Sequence, residues 1–168
     1  MSDFLTDVEA AIPGLRRYAL ALALTRDADS ADDLVQDCLE RALTRRRLWR
    51  PTGTVKSWLF TILHNQFISD RRRLNRRAGD LPMDDALQQS APHNPMASVA
   101  LAETARAIEA LSLEQRTTLL LVAVEGLTYA EAATATGVPV GTIMSRLSRA
   151  RRALADKMEA GPRLARVK

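Results

Sequence analysis

Apolar residues recur every three or four positions along most of the chain, which is the spacing of one face of an α-helix. Six segments show this pattern: Ile12–Thr25, Ala31–Thr44, Val55–Arg77, Ser98–Leu111, Ser112–Val124 and the two-helix stretch Leu127–Arg152. No convincing run of alternating β-branched residues predicts a strand. The sequence therefore predicts an all-α fold.

The helical pattern is interrupted between residues 79 and 97. This segment contains Pro82, Pro92 and Pro95 but no Lys or Arg, a composition typical of a flexible or extended linker. We therefore predict two small helical domains, residues 1–78 and 98–160, joined by the linker 79–97 and followed by a basic tail, 161–168.

The stretch Leu127–Arg152 has the features of a helix-turn-helix. Thr128 and Glu131 have the spacing of a capping box, and Ser112 and Gln115 have the same spacing at the start of the preceding segment. Gly137 suits the left-handed position after a helix, and Pro139 can open the next helix. The second helix has a predicted buried stripe, formed by Ile143, Leu147, Ala150 and Leu154. A second face, without a carboxylate, carries Thr142, Ser145, Arg146, Arg149 and Arg152.

Hydroxyl and guanidinium groups can contact phosphates and base edges in a DNA major groove. The helix-turn-helix is therefore predicted to bind DNA through its second helix. The alternative is an ordinary helical hairpin whose basic face is only solvated. Capping, small-residue packing, turn and basic face all agree with the DNA-binding interpretation.

The segment Ala31–Thr44, which Asp29 or Ser30 can cap, has an apolar face that Leu39 and Leu43 broaden. It carries an acidic stripe on the opposite side. The stripe consists of Asp33, Gln36, Asp37 and Glu40. Such a stripe is either a solvated helix face or a docking surface for a basic protein partner.

Two further segments suggest contact with a polyanion. Trp49 lies in an arginine-rich loop, where it either packs in the core or stacks on a base. The helix Val55–Arg77 ends in a cluster of Arg71, Arg72, Arg73, Arg76 and Arg77. These are more cations than a helix C-terminus requires, which favours a phosphate-binding surface. In this helix, His64 and Asn65 are expected to point away from the apolar side.

Composition limits the classes of function. The 168 residues carry a formal net charge of +4, which favours a polyanionic partner. One cysteine, Cys38, excludes an internal disulfide, and no cluster of His, Cys or acids has metal-ligand spacing. No catalytic constellation or phosphate-binding loop is present, so neither an enzyme nor a cofactor is expected. The absence of an apolar membrane span and of a signal-peptide pattern predicts a cytoplasmic protein without a membrane partner.

Three motifs in this order resemble the extracytoplasmic-function (ECF) sigma factors of bacterial RNA polymerase. Residues 31–42 are similar to the family's polymerase-binding segment. Residues 58–73, with Trp58, Asn65 and the arginines, are similar to its promoter-melting helix. Residues 137–151 are similar to its −35-binding turn and helix.

The resemblance implies roles for these surfaces. The acidic stripe would bind core RNA polymerase. Melted −10 DNA would contact Trp49, Asn65, Arg71, Arg72, Arg73 and Arg76. The −35 element would contact Thr142, Ser145, Arg146, Arg149 and Arg152. The implied partners are core polymerase, promoter DNA and an anti-sigma factor.

Two other functions remain compatible with the residues. One is a conventional helix-turn-helix regulator, although the sequence shows no obvious dimer face for reading paired half-sites. The other is a sigma-like module that titrates a regulatory partner without binding DNA.

Overall fold

The computed structural model describes residues 3–23, 28–49, 53–77 and 99–159, all built from helices and short connections. The elements are α1 (Phe4–Ala23), α2 (Ala28–Thr44), a 3₁₀ turn (Arg46–Leu48), α3 (Val55–Arg77), α4 (Val99–Glu109), α5 (Leu113–Leu119), a π-helical turn (Leu120–Val124), α6 (Tyr129–Thr136) and α7 (Val140–Glu159). Within these ranges no strand occurs, and the all-α prediction is confirmed. The predicted linker, 79–97, and the basic tail, 161–168, lie outside the described residues.

Helix α1 begins eight residues earlier than the sequence pattern predicted. It starts at Phe4 instead of Ile12 and continues through Pro13. Proline in a helix interior costs about 3 kcal/mol because it cannot donate to the preceding turn. Phe4 and Val8, together with Leu15, are buried on one face, and their burial offsets that cost.

Helix α2 also begins before its predicted start. It starts at Ala28, so Asp29 and Ser30 lie in its first turn and not at the predicted capping position. The burial of Ala31, Val35 and Cys38 agrees with the predicted apolar face. Leu43 was expected to broaden this face but is half exposed. Helix α3 has the predicted bounds.

The second half of the molecule is organised by two capping boxes. Ser112 caps α5 together with Gln115, and Thr128 caps α6 together with Glu131, both as predicted. Gly137 ends α6 in the left-handed region at φ 70°. Helix α7 then buries Ile143, Leu147 and Ala150, as the sequence predicted, while Leu154 is partly buried.

The end of the α5 segment differs from a regular helix. Leu120–Val124 forms a π-helical turn, in which the N–H of Glu125 donates to the Leu120 carbonyl at 2.9 Å. Gly126 follows at φ 72° and reverses the chain. The sequence predicted a helix as far as Val124 but not the wider turn at its end.

The two halves of the molecule, residues 3–77 and 99–159, pack against each other. Helix α3 lies against α6, and α1 lies against α5. The buried cluster that begins at Phe4 and includes Leu63 continues through Leu121 to Ile143. The small side chains of α6, such as Ala132 and Ala135, are part of this shared core and allow close approach of neighbouring helices.

Candidate polymerase and nucleic-acid interfaces

The acidic stripe lies on the solvent side of α2. Asp33, Gln36, Asp37 and Glu40 are all accessible to solvent, at least in part. Gln36 donates to Glu40 at 3.4 Å. The buried Gln66 of α3 donates to Asp37 Oδ2 at 2.9 Å and fixes the position of that carboxylate. The stripe is thus an accessible row of hydrogen-bond acceptors, suited to a basic partner surface.

The polar residues of α3 divide between solvent and core. Asn65, Arg72, Arg73 and Arg76 are exposed, and Arg71 is partly exposed. Arg73 pairs with Asp70 at 2.7 Å, which offsets part of its charge. The predicted phosphate-binding surface is therefore accessible, although the Asp70 contact was not predicted.

His64 was expected to point away from the core, and this prediction was wrong. Its ring is buried, and its Nδ1 lies 3.0 Å from the Tyr18 hydroxyl of α1. Helix α3 is covered by α1 on one side and by α6 on another, so its buried surface is wider than its apolar stripe. Burial, together with the nearby positive charge of Arg146, lowers the pKa of His64 to about 4.

Trp49 packs against the first helix. Its ring centroid lies 5.7 Å from that of Phe4, which in turn lies 6.2 Å from Trp58. These contacts favour the packing interpretation of Trp49. One side of the residue still lines an open pocket of about 400 Å³, formed with Asp7, Gly53 and Thr54. Its assignment to −10 DNA stays a prediction.

The side of α7 that is predicted to contact DNA is solvent-accessible. Ser145, Arg149 and Arg152 are exposed, while Thr142 and Arg146 are partly exposed. Glu114, in the first turn of α5, lies 3.9 Å from Arg146. The helix itself has no carboxylate on this side, so its own residues do not predict this contact between helices.

The structure brings together some, but not all, of the predicted DNA-contacting residues. Arg71 and Arg72 of α3 line the same cleft as Arg146 of α7, with His64 at its wall. The cleft has a volume of about 280 Å³. The sequence could not predict this proximity because it depends on how the two halves pack.

No group of three or more His, Cys, Asp or Glu side chains in the described ranges is arranged to hold a metal ion. Among the helices of these ranges, none is both long and apolar enough to span a membrane.

A helical first half with an exposed acidic stripe and an arginine-rich helix end, followed by a capped helix-turn-helix, is typical of DNA-binding transcription proteins. Sequence models of protein families identify the family of each half. Residues 8–64 match the model described as the Sigma2 domain of PhyR, and residues 101–154 match Sigma-70, region 4.

Curated relatives and a solved structure agree with these matches. The chain is 41% identical over 145 residues to the ECF RNA polymerase sigma factor EcfG of Rhodopseudomonas palustris, covering 86% of this chain and 79% of EcfG. It is 36% identical over 153 residues to the sigma factor SigL of Mycobacterium tuberculosis, covering 89% and 84%. The structure is similar to the sigma factor RpoE of Bartonella quintana, solved in complex with the anti-sigma factor NepR. The TM-score is 0.79, the identity is 34%, and the match covers 96% of this chain and 100% of RpoE.

The chain therefore belongs to the ECF RNA polymerase sigma factors, which direct core polymerase to promoters. The conventional helix-turn-helix regulator considered from the sequence is set aside on this ground.

Proposed function

We propose that three exposed surfaces each bind a different partner or DNA element during promoter recognition. The acidic stripe of α2 holds core RNA polymerase, Asn65 and the arginines at the end of α3 contact the −10 DNA, and α7 contacts the −35 element. The observation that carries this proposal is the two-sided character of α7. Ile143 and Leu147 are buried on one side, and Arg149 and Arg152 are in solvent on another.

The first half would assist DNA melting without chemistry of its own. Unstacking a base costs a few kcal/mol, and cations together with stacking surfaces offset part of that cost once the protein is anchored. Anchoring on the −35 duplex through α7 and on polymerase through α2 supplies that condition. The protein acts in this proposal as a dissociable, non-enzymatic specificity subunit in the cytoplasm.

We also propose regulation by an anti-sigma factor. Support comes from the RpoE relative, which was solved with NepR and which matches this chain over nearly its whole length. An inhibitor of this kind would cover exposed polymerase-binding or DNA-binding surfaces, such as the acidic stripe.

Transcription in vitro tests the role of α7. Core RNA polymerase of Rhodopseudomonas palustris would be combined with this protein on a library of candidate promoters. The Arg149→Ala variant is expected to lower promoter-directed transcription roughly 5- to 150-fold, because a lost base contact costs about 1–3 kcal/mol. Binding to core polymerase, measured in parallel, should not change.

Arg151→Ala is the matched control. Arg151 is also exposed on α7, but the helical rotation places it on the other side of the buried stripe. It should retain near-normal transcription. Equal transcription by the Arg149 variant and the unmodified protein would remove the assignment of this face. A core polymerase that binds the protein but starts no transcript would favour the titrating module.

A further inference from the structure

A polar cluster joins the two halves of the molecule and is not explained by either DNA or polymerase binding. We call it the clasp; it consists of Gly14, Arg17, Lys56 and Glu125. The first three residues belong to α1 and α3, and Glu125 follows the π-helical turn of the second half. The clasp therefore connects segments that lie far apart in the sequence.

Glu125 is the centre of the clasp. Its side chain is only 2% exposed, although it carries a carboxylate. Arg17 donates to both carboxylate oxygens, from Nε to Oε1 at 3.1 Å and from a terminal nitrogen to Oε2 at 3.1 Å. A two-bond arginine–carboxylate pair of this kind fixes orientation as well as charge. The buried carboxylate of the second half thus depends on a cation from the first half.

Lys56 supplies a further contact from α3. Its ammonium group donates to the Glu125 backbone carbonyl and lies 3.7 Å from Oε2. Close by, the Thr54 hydroxyl donates across the same boundary to Glu131 of α6 at 3.0 Å. Hydrogen bonds from the first half therefore reach both ends of the segment between the π-helical turn and α6.

Gly14 allows the carboxylate to approach α1. A β-carbon at this position would overlap the Glu125 carboxylate and would also lie 3.5 Å from the Phe60 ring. Alanine normally stabilises a helix interior relative to glycine. The glycine at this position therefore favours contact between the halves at the expense of the stability of α1 itself.

The packing held by the clasp brings the proposed −10 surface of α3 close to the proposed −35 surface of α7. On a promoter these two surfaces have to bind DNA elements that lie far apart. Arg72 of α3 and Arg146 of α7 face one cleft of about 280 Å³, which is only a few side chains across. The −10 and −35 elements lie about 25 base pairs apart, roughly 85 Å along B-form DNA. In this arrangement the two surfaces cannot contact their elements at the same time.

We propose that the clasp holds the free protein in a closed resting state, from which the halves must separate before promoter DNA is bound. This inference rests on the proposed function for its biological role, whereas the closed state itself rests on the contacts alone. Separation returns the Glu125 carboxylate to water, breaks its pairs with the half-exposed Arg17 and Lys56, and exposes apolar side chains of the buried cluster that the halves share. The cost of opening is then met by contacts with polymerase and DNA.

Small-angle X-ray scattering of the full-length protein tests the closed state. The unmodified protein is expected to be compact, and Gly14→Ala and Arg17→Ala are expected to increase the radius of gyration by several ångströms. Gly14→Ala pushes the carboxylate away from α1, and Arg17→Ala leaves a buried charge with fewer partners. An extended unmodified protein, or two variants as compact as the unmodified protein, would overturn the proposal.

Arg16→Ala is the control for the scattering experiment. Arg16 is the neighbour of Arg17 but pairs with Asp32 at 2.8 Å, within the first half. Its loss should leave the radius of gyration unchanged. Circular dichroism of each variant verifies that helix content is retained, so that expansion is not mistaken for unfolding.

Transcription titrations test the resting-state role. If the closed state limits transcription, the two clasp variants should reach half-maximal transcription at about tenfold lower protein concentration. The reason is that a larger fraction of their molecules is open and able to bind polymerase and promoter DNA. An unchanged concentration in variants that scatter as open molecules would overturn this role. If the unmodified protein directs no transcript, the proposed function fails, and scattering still decides whether the clasp closes the molecule.

Discussion

Several buried polar side chains in this protein lie on a helix that is covered by others on more than one side. His64 and Gln66 of α3 are polar, yet both are buried, because α1 and α6 pack on different sides of α3. Hydrophobic periodicity predicts the apolar stripe of a helix, but it does not predict how many other helices pack against that helix. The exposed Asn65, Arg149 and Arg152 were assigned correctly to the surface because solvation is the default for such side chains.

The buried imidazole of His64 predicts a specific pH dependence of stability. The pKa of His64 is lowered from 6.5 to about 4 by burial and by Arg146, so the folded state favours the neutral ring. Between these values the unfolded chain binds a proton that the folded protein does not. Stability that is present above pH 6.5 is therefore lost as the pH falls towards 4.

Urea unfolding at about pH 7 and about pH 5, on either side of the ordinary histidine pKa, measures this effect. The unmodified protein should lose more free energy of unfolding between the two pH values than His64→Gln, which keeps a neutral polar side chain at this position. Comparison of the two proteins cancels the carboxylates that titrate in the same range. The same loss in both proteins would contradict the assignment of the effect to His64.

At the scale of elements, local signals predicted the helix boundaries of the second half better than the starts of α1 and α2. The two capping boxes and the left-handed Gly137 were predicted because each depends on residues within one turn. The start of α1 was missed because Pro13 and Gly14 look like a helix boundary. Burial of Phe4 and Val8 against the rest of the molecule outweighs that local signal.

The capping box of α6 predicts that two threonine-to-alanine substitutions in this segment differ in their effect on stability. One is at the capping position Thr128, and the other is at Thr134 inside the helix. Thr128 accepts from the Glu131 N–H at 3.2 Å, and its own N–H donates to the Glu131 carboxylate in return. Burial alone would raise the pKa of Glu131, but hydrogen bonds from Thr128, Thr54 and Ser57 lower it below its ordinary value. Thr128→Ala should cost about 1 kcal/mol of stability.

Thr134→Ala is the comparison. This threonine is exposed inside α6, and its hydroxyl only bonds back to the Ala130 carbonyl at 3.0 Å. Alanine is the better helix former, so this change should be neutral or slightly stabilising. Thermal unfolding of the two variants gives the difference directly. Equal midpoints would show that the capping box contributes nothing measurable.

At the scale of the whole molecule, the two halves share the buried cluster that runs from Phe4 to Ile143. The sequence predicted two helical units and a linker, and that division follows from composition alone. The sequence could not predict the contact between Arg17 and Glu125, because no local pattern around either residue indicates which residue it contacts. The proximity of Arg146 to Arg71 escaped prediction for the same reason.

The shared core predicts that both halves unfold in one transition. Both tryptophans, Trp49 and Trp58, lie in the first half, so their fluorescence follows that half alone. Far-ultraviolet circular dichroism also follows α4 to α7 of the second half. The two signals should give the same midpoint in urea, because separating the halves exposes the buried cluster that joins them. Two distinct midpoints would show that the halves unfold independently.

The π-helical turn at Leu120–Val124 makes the clasp sensitive to the length of the chain. A π-helical turn contains one more residue than the matching α-helical turn. Deleting one residue there would leave a regular helix and rotate the residues after the deletion by about 100° around the helix axis. Glu125 would then no longer face Gly14, although every residue of the clasp would still be present. Within this family, a single-residue insertion or deletion at this position would therefore distinguish proteins that rest closed from proteins that rest open, without changing any residue proposed to contact DNA.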